Sequence, residues 1–317
     1  MASTSIAVPQ SNQGPKLVVR IVSIAALLFL VLIALVQIMP FVFTVANSFK
    51  CLPAIQEAPM AIIPLPPIDP ACRAENGNML PGSATASGAT FNPSFEGYRA
   101  IFGRDFGRWT LNTAFLSVIV TVLRLGFDSL AGYALARLKF PGNRAVFFLI
   151  LGTMMIPGVV LLIPRFIILK QLGMLNSFTG IIIPLMVDAF GIFLMKQFFE
   201  SIPGEIEEAA QVDGADRFTI FFRIVLPMAT PALTALAIFS FQGMWNNFLD
   251  VLLVLQGNAS LWTLPLGLAL IRGTSGETLD WNIFLAGSVI TTLPLALVFF
   301  VFQRYFVEGV SYSGLKG

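Results

Sequence analysis

Seven predominantly apolar stretches of this chain contain no Asp, Glu, Lys or Arg: Ile21 to Phe49, Trp109 to Leu123, Ala145 to Pro164, Gln171 to Val187, Ile224 to Leu249, Val251 to Ile271 and Trp281 to Gln303. Ionisable side chains are expensive in hydrocarbon and a helix needs about 20 residues to cross it, so these windows mark where membrane spans can lie. Only 11% of the 317 residues are charged, against roughly 25% in soluble domains, while 56% are hydrophobic. Nineteen basic and 17 acidic residues are too few to coat a soluble globule of this length. Most of the chain must face lipid or other helices.

Seven windows reduce to six spans. Val251 to Ile271 carries Gln256, Gly257, Asn258, Ser260 and Pro265, which would leave backbone groups unpaired in lipid, so it reads as a loop dipping toward the bilayer. The second span extends to about Leu138 and takes in Arg124 and Asp128, four apart on one helix face and able to pair with each other. The fourth runs past Asp188 to about Met195. The first apolar run is too long for a secretory signal core and is expected to stay in the mature protein. Lys16, Arg20, Arg137, Lys139, Arg144, Lys196, Arg217, Arg223, Arg304 and Lys316 fall on one side, which the positive-inside rule makes cytoplasmic, with both termini there.

This organisation gives residues 1–20 as a cytoplasmic segment, 21–49 as the first span and 50–108 as an external loop. Residues 109–304 then form a five-span core with a cytoplasmic loop at 196–227, and 305–317 a cytoplasmic tail. The external loop is rich in Pro, Gly, Ser and Ala and holds both cysteines, Cys51 and Cys72. On an oxidising face they either bond, closing a loop of about 20 residues worth roughly 3 kcal/mol, or remain two thiols.

Several chemistries are excluded. There is no histidine, which removes His-based acid/base catalysis and the commonest zinc ligand, and two cysteines cannot build a Cys-only zinc site. A net charge of +2 offers no footprint for nucleic acid. No G-x-x-x-x-G-K-[ST] segment occurs, so the chain has no phosphate cradle of that kind.

Between the fourth and fifth spans, Lys196 to Pro227 concentrates six acidic residues. Pro203 suits a first helical turn, Glu205, Glu207 and Glu208 favour a helix N-terminal end, and Gly214 is a natural terminus. A second short helix is expected from Asp216, carrying Phe218, Phe221 and Phe222, with Pro227 and Pro231 marking re-entry into the bilayer. On physics alone this could be an ordinary solvated loop. The residues, however, spell Glu208-Ala209-Ala210, three residues, Gly214, nine residues, then Ile224-x-Leu226-Pro227. That pattern resembles the EAA coupling loop of ABC importer membrane subunits. The stretch Ala131-Gly132-Tyr133-Ala134-Leu135-Ala136-Arg137-Leu138-Lys139-Phe140-Pro141-Gly142 is similar to one in sugar permeases of the maltose-type class. So are Trp245-Asn246-Asn247-Phe248 and the ending Tyr305-Phe306-Val307-Glu308-Gly309 with Leu315-Lys316-Gly317.

The resemblance implies an all-α, six-span permease of the type I ABC importer fold in a prokaryotic cytoplasmic membrane, with no enzymatic site of its own. Its partners would be a sister permease, two ATP-binding subunits that hold ATP and Mg, and an extracytoplasmic solute-binding protein, with a sugar-like cargo. The coupling residues would be Glu207, Glu208, Ala209, Ala210, Asp213, Gly214, Ile224, Leu226 and Pro227. Asp188 is a substrate-path candidate as an ionisable group in a span, with pairing to Arg124 or a sister subunit as the other reading. Ser240 and Met244, one turn apart before Trp245, border the cavity by the same resemblance. Interfacial anchoring accounts for Trp109, Trp245, Trp262 and Trp281, with sugar stacking as the other reading, and gap-filling packing for Met154 and Met155. The competing function is a stand-alone secondary transporter or channel using Asp188 or Arg124 and Asp128.

Overall fold

The computed structural model describes residues 16–57, 59–60, 62, 93–271 and 280–314. The chain divides into two compact units, Met1–Ser94 and Phe95–Gly317. In the first, α1 (Lys16–Ser48) is an apolar helix with exposed side chains along most of its length, and it passes through Pro40 without ending. A short α2 (Leu52–Glu57) follows, with its Ala54 buried together with the preceding Cys51. Asn47 donates to the Pro59 carbonyl at 2.9 Å, and the Ser94 N–H donates to Phe49 O at 2.7 Å. Cys72 lies outside the described residues, and so does the choice between a Cys51–Cys72 bond and two thiols.

The second unit is built of helices joined by turns, with no strand among its described residues. Its elements are α3 (Glu96–Phe102), α4 (Phe106–Arg137), α5 (Asn143–Met154), a 3-10 turn (Gly158–Leu161), α6 (Leu162–Gln171), α7 (Thr179–Leu185), α8 (Ala189–Ser201) and α9 (Gly204–Val212). Next come α10 (Arg217–Ile220), a π-turn (Phe221–Val225), α11 (Leu226–Met228), α12 (Thr230–Trp245), α13 (Leu249–Leu255), a 3-10 turn (Ala259–Leu261), α14 (Leu264–Ala269) and α15 (Trp281–Gly314). At 32 residues α4 is the hub, and it packs mainly on α8 and α12. Its contact with α8 is backbone-close: a Cβ on Gly132 would lie 2.8 Å from Met195 Cβ and 2.9 Å from Lys196 N.

Among the described residues, four helices are long and apolar enough to cross a membrane: Val19–Ser48, Phe106–Arg137, Thr179–Ser201 and Trp281–Phe302. Two bent pairs bring the total to six. The expected continuous third span is broken, with Asn143–Met154 and Gly158–Gln171 meeting at 95°. Pro157 causes this, because it has no N–H to continue the ladder and disfavours helical backbone at Ile156. The fifth is bent by 78° between Arg217–Met228 and Thr230–Trp245, with Pro231 in the first turn of α12 where its missing N–H costs nothing. The fourth begins later than the charge pattern indicated, at Thr179, and is interrupted at residues 186–188 just before Ala189.

Val251 to Ile271 folds as α13 and α14, whose Val251, Val254, Leu255, Leu264, Leu266 and Leu268 are buried in the chain. The two short helices are anchored in protein, while the irregular backbone that joins them is exposed from Gln256 to Ala259 and becomes buried only at Thr263. The same helices correct the tryptophan reading. Trp109 and Trp245 are buried in a cluster with Leu264, Leu268 and Ile283, and Trp245 Nε1 donates to Thr291 O at 3.2 Å, so neither is an interfacial anchor. Met154 and Met155 are exposed at the end of α5, Met155 by 85%, because the bend at Pro157 turns the helix away from its neighbours before they could be packed.

Candidate functional site

The acidic stretch after the fourth span folds as α9, a tight turn and α10. Lys196 was expected to open this stretch, but it is buried inside α8, its Nζ 2.6 Å from Glu200 Oε1 and 4.2 Å from the centre of the Phe147 ring. With the charge met by a carboxylate and a ring face, the helix runs on to Ser201, and the segment that leaves it starts at Ile202.

Glycine dictates how α9 ends. Gly214 has φ +85°, the left-handed conformation that costs an L side chain about 1–2 kcal/mol. Its N–H donates to Gln211 O at 3.0 Å and the Ala215 N–H to Ala210 O at 2.9 Å, which together form a Schellman closure. Two residues on, Asp216 caps α10 by accepting from the Thr219 N–H at 3.1 Å. The Thr219 hydroxyl, followed by this N–H, holds the Asp216 carboxyl below its ordinary range.

Helical phase sorts the residues of α9. Glu205, Glu208, Ala209 and Val212, at i, i+3, i+4 and i+7, share an exposed stripe, and Val212 is 88% exposed. Asp213 and Gly214 continue it, and Phe218, 70% exposed, stands beyond. The opposite side, Glu207 and Ala210, is buried. Ala210 joins a core cluster with Tyr133, Met195, Phe199, Ile220, Phe221 and Val225, against which Ile224 and Leu226 pack, while Pro227 is exposed. The nine coupling candidates therefore divide: Glu208, Ala209, Asp213, Gly214 and Pro227 face outward, and Glu207, Ala210, Ile224 and Leu226 bind the segment to the bundle.

Glu207 is held by α4. Its Oε2 accepts from the Tyr133 hydroxyl at 2.9 Å and its Oε1 lies 2.8 Å from Arg137 Nε, an ion pair. A second guanidinium nitrogen of Arg137 donates to the carbonyl of Ile202, the residue that closes α8. One arginine thus grips both the backbone just before α9 and a side chain on its first turn. Sequence reasoning did not find this clamp. Its signal lay in the resemblance stretch itself, where Tyr133 and Arg137 are four apart near the end of the span that precedes it.

Higher in the same helix, Arg124 and Asp128 form no salt bridge with each other, contrary to expectation. Arg124 Nε donates to Leu185 O at 2.7 Å, and Asp128 Oδ1 accepts from the Asp188 N–H at 3.0 Å. The interruption between α7 and α8 leaves backbone groups without helical partners, and the Leu185 carbonyl and the Asp188 N–H among them outcompete pairing within α4. Asp188 itself caps α8 through Gly191 N at 3.3 Å and is half-buried. Ser240 and Met244 are buried in the packed interior of the chain. No cluster of three or more His, Cys, Asp or Glu able to hold a metal occurs among the described residues.

Comparison with known proteins gives this geometry its family. Residues 128–312 match the model for a binding-protein-dependent transport system inner membrane component. The chain is 40% identical over 66% of its length, and 74% of the relative's, to the arabinooligosaccharides transport system permease protein AraQ of Halalkalibacterium halodurans. It is 29% identical over 91% of its length, and 96% of the relative's, to the polygalacturonan/rhamnogalacturonan transport system permease protein YtcP of Bacillus subtilis. It is 35% identical over 65% of its length, and 73% of the relative's, to the sn-glycerol-3-phosphate transport system permease protein UgpE of Yersinia pestis. Among solved structures, it matches a chain of a bacterial ABC transporter that imports the acidic polysaccharide alginate, with a TM-score of 0.71 and 24% identity over 94% of this chain and all of that one. This chain belongs to the inner membrane components of binding-protein-dependent transport systems, and it folds as an ABC importer permease.

Proposed function

We propose that this chain is the permease subunit of an ATP-driven importer for a sugar or a related polyol or phosphate ester, and that α9 is where ATP hydrolysis on partner subunits is coupled to the spans. The observation that carries the coupling reading is the outward stripe of α9. In a loop that leaves the bundle, Val212 and Phe218 stand almost bare beside Glu208 and Ala209, and exposed apolar groups rimmed by charge mark docking surfaces. The Schellman turn at Gly214 gives that surface one fixed shape.

A sister permease completes the translocation path, two ATP-binding subunits with Mg meet α9, and an extracytoplasmic binding protein delivers cargo. Both termini and α9 lie on the cytoplasmic side under the positive-inside rule. The sugar class rests on the relatives named for arabinooligosaccharides and rhamnogalacturonan, and the phosphate-ester option on the glycerol-3-phosphate relative. Asp188, half-buried at the interruption of the fourth span, is the residue of this chain best placed to meet cargo, with Ser240 and Met244 packed behind the path.

Reconstitution with partners in vesicles tests the coupling reading. Glu208→Arg places a cation and a longer side chain on the docking stripe, and Gly214→Val puts a β-branched residue at positive φ. Both should insert in the membrane and bind the sister subunit, yet lose uptake and the stimulation of ATP hydrolysis by loaded binding protein. Wild-type values for both variants would rule out α9 as the coupling element.

A further inference from the structure

Adjacent glutamates on α9 face opposite ways, Glu208 to solvent and Glu207 into a mostly buried ion pair and hydrogen bond with α4. We infer that Glu207, Arg137 and Tyr133 form an internal transmission clamp: Glu208 and its stripe receive the push of the ATPase, and Glu207 passes it to α4. The inference rests on the coupling reading above and assigns positioning roles to two residues outside the coupling loop.

Geometry supports a mechanical link. α9 is only nine residues long, its Ala210 packs into the core, and Gly214 ends it in an exposed turn where a Cβ would meet nothing within 4 Å. At the near end the restraint is threefold: Tyr133 Oη on one carboxylate oxygen, Arg137 Nε on the other, and the same guanidinium on the Ile202 carbonyl. Guanidinium is suited to this because one group reaches both partners, the Ile202 carbonyl by a hydrogen bond and the Glu207 carboxylate as an ion pair, whereas an ammonium is one compact point charge. The receiving helix is suited as well. α4 is the element on which α8 and α12 pack, and its approach to α8 at Gly132 leaves no slack, so a displacement at Arg137 reaches three helices at once. Packed contacts of this kind shift as rigid bodies, which is what transmission requires.

The test uses the assembled importer in proteoliposomes, with Glu207→Gln, Arg137→Lys, Tyr133→Phe and, as the docking control, Glu208→Arg. Glu207→Gln and Arg137→Lys should retain the ATPase subunits on purification and continue to hydrolyse ATP, while solute moved per ATP falls about tenfold. Tyr133→Phe, which removes one of the three restraints, should show a smaller fall in the same ratio. Glu208→Arg should instead release the ATPase. In a Glu207→Cys/Arg137→Cys double variant, a short bis-maleimide should raise the ratio again, with the treated wild-type chain as control for Cys51 and Cys72; a merely structural role would not respond to a covalent tether. Wild-type solute per ATP in Glu207→Gln, release of the ATPase by Glu207→Gln as by Glu208→Arg, or no gain from the tether would each overturn the clamp. Failure of Glu207→Gln, Arg137→Lys and Tyr133→Phe to insert would make it a folding element and overturn it too. Wild-type behaviour of Glu208→Arg and Gly214→Val alone would instead sink the coupling reading.

Discussion

Helix α4 carries two polar pairs with the same spacing, Arg124 with Asp128 and Tyr133 with Arg137, and in neither do the two members bond each other. The pair higher in the helix serves backbone: Arg124 closes the Leu185 carbonyl and Asp128 the Asp188 N–H, two of the groups freed by the interruption between α7 and α8. The pair near its end serves a side chain, as Tyr133 and Arg137 converge on the Glu207 carboxylate. Spacing of four puts two residues on one helix face, but the strongest unmet demand within reach decides what they bond. Inside the bilayer that demand is unpaired backbone, for which lipid offers no substitute. Where α4 meets α9 it is a buried carboxylate.

This contrast predicts different energetics, beginning with the larger effect. Removing one partner of the clamp, by Arg137→Met or Glu207→Leu, leaves a mostly buried charge uncompensated and should cost about 3 kcal/mol. The double variant should cost less than the sum, with a coupling energy of about 2 kcal/mol or more. The corresponding cycle with Arg124→Met and Asp128→Leu should be additive within about 0.5 kcal/mol, because each residue answers its own backbone partner. Thermal melting of the purified complex measures both cycles. Equal coupling at the two pairs would erase the distinction between them.

A sharper probe of the upper pair separates charge from acceptor. Asp128→Leu strands the Asp188 N–H and should destabilise by about 2 kcal/mol. Asp128→Asn keeps an oxygen where Oδ1 stands and should lose no more than about 1 kcal/mol. Equal losses for the two would mean that the carboxylate charge, not its hydrogen bond to the interruption, is what α4 contributes there.

Gly214 tests the surface rather than the interior. A Cβ there meets no atom within 4 Å, so Gly214→Ala adds backbone strain alone, about 1–2 kcal/mol, and Gly214→Asn less, since asparagine tolerates left-handed backbone. Uptake should follow the order Gly, Asn, Ala. An alanine variant with full uptake would show that the turn is dispensable.

What the sequence made legible follows the range of each interaction. The turn at Gly214 and the cap at Asp216 are local, set by residues within a few positions, and both were readable. Membrane-span number came from charge scarcity, which reports hydrocarbon contact directly. The bend at Pro157 was missed because a charge-free window tells where a helix can lie and not whether its hydrogen-bond ladder is continuous, whereas the break between Met228 and Thr230 was marked in the sequence by Pro227 and Pro231. Trp109 and Trp245 were misplaced because distance from a window's end says nothing of α14, which covers them from more than 100 positions away along the chain in the case of Trp109. Glu207 and Glu208 are chemically identical neighbours, and only the phase of α9 against α4 separates the buried one from the exposed one.

The smallest effect expected belongs to the fully local cap at Asp216, the opposite extreme from the Glu207 carboxylate. Asp216 is exposed, and hydrogen bonds from the Thr219 hydroxyl and then its backbone N–H lower its carboxyl from the ordinary value of 3.8. A carboxyl with a lowered folded value favours the folded segment fully above the unfolded value, and that contribution fades as pH falls through the folded one. The start of α10 should therefore be firm at about pH 6 and loosened at about pH 3, in the direction of faster opening at the Thr219 amide. Asp216→Asn keeps the acceptor but cannot titrate, so it should retain the cap with no such pH response, whereas Asp216→Ala should show the loosened start at both values. Hydrogen exchange at the Thr219 amide, corrected for its intrinsic pH dependence, separates the three. An identical acid response in Asp216→Asn would assign the loosening to carboxylates elsewhere, and would leave α10 held by the burial of Ile220 and Phe221 instead of by its cap.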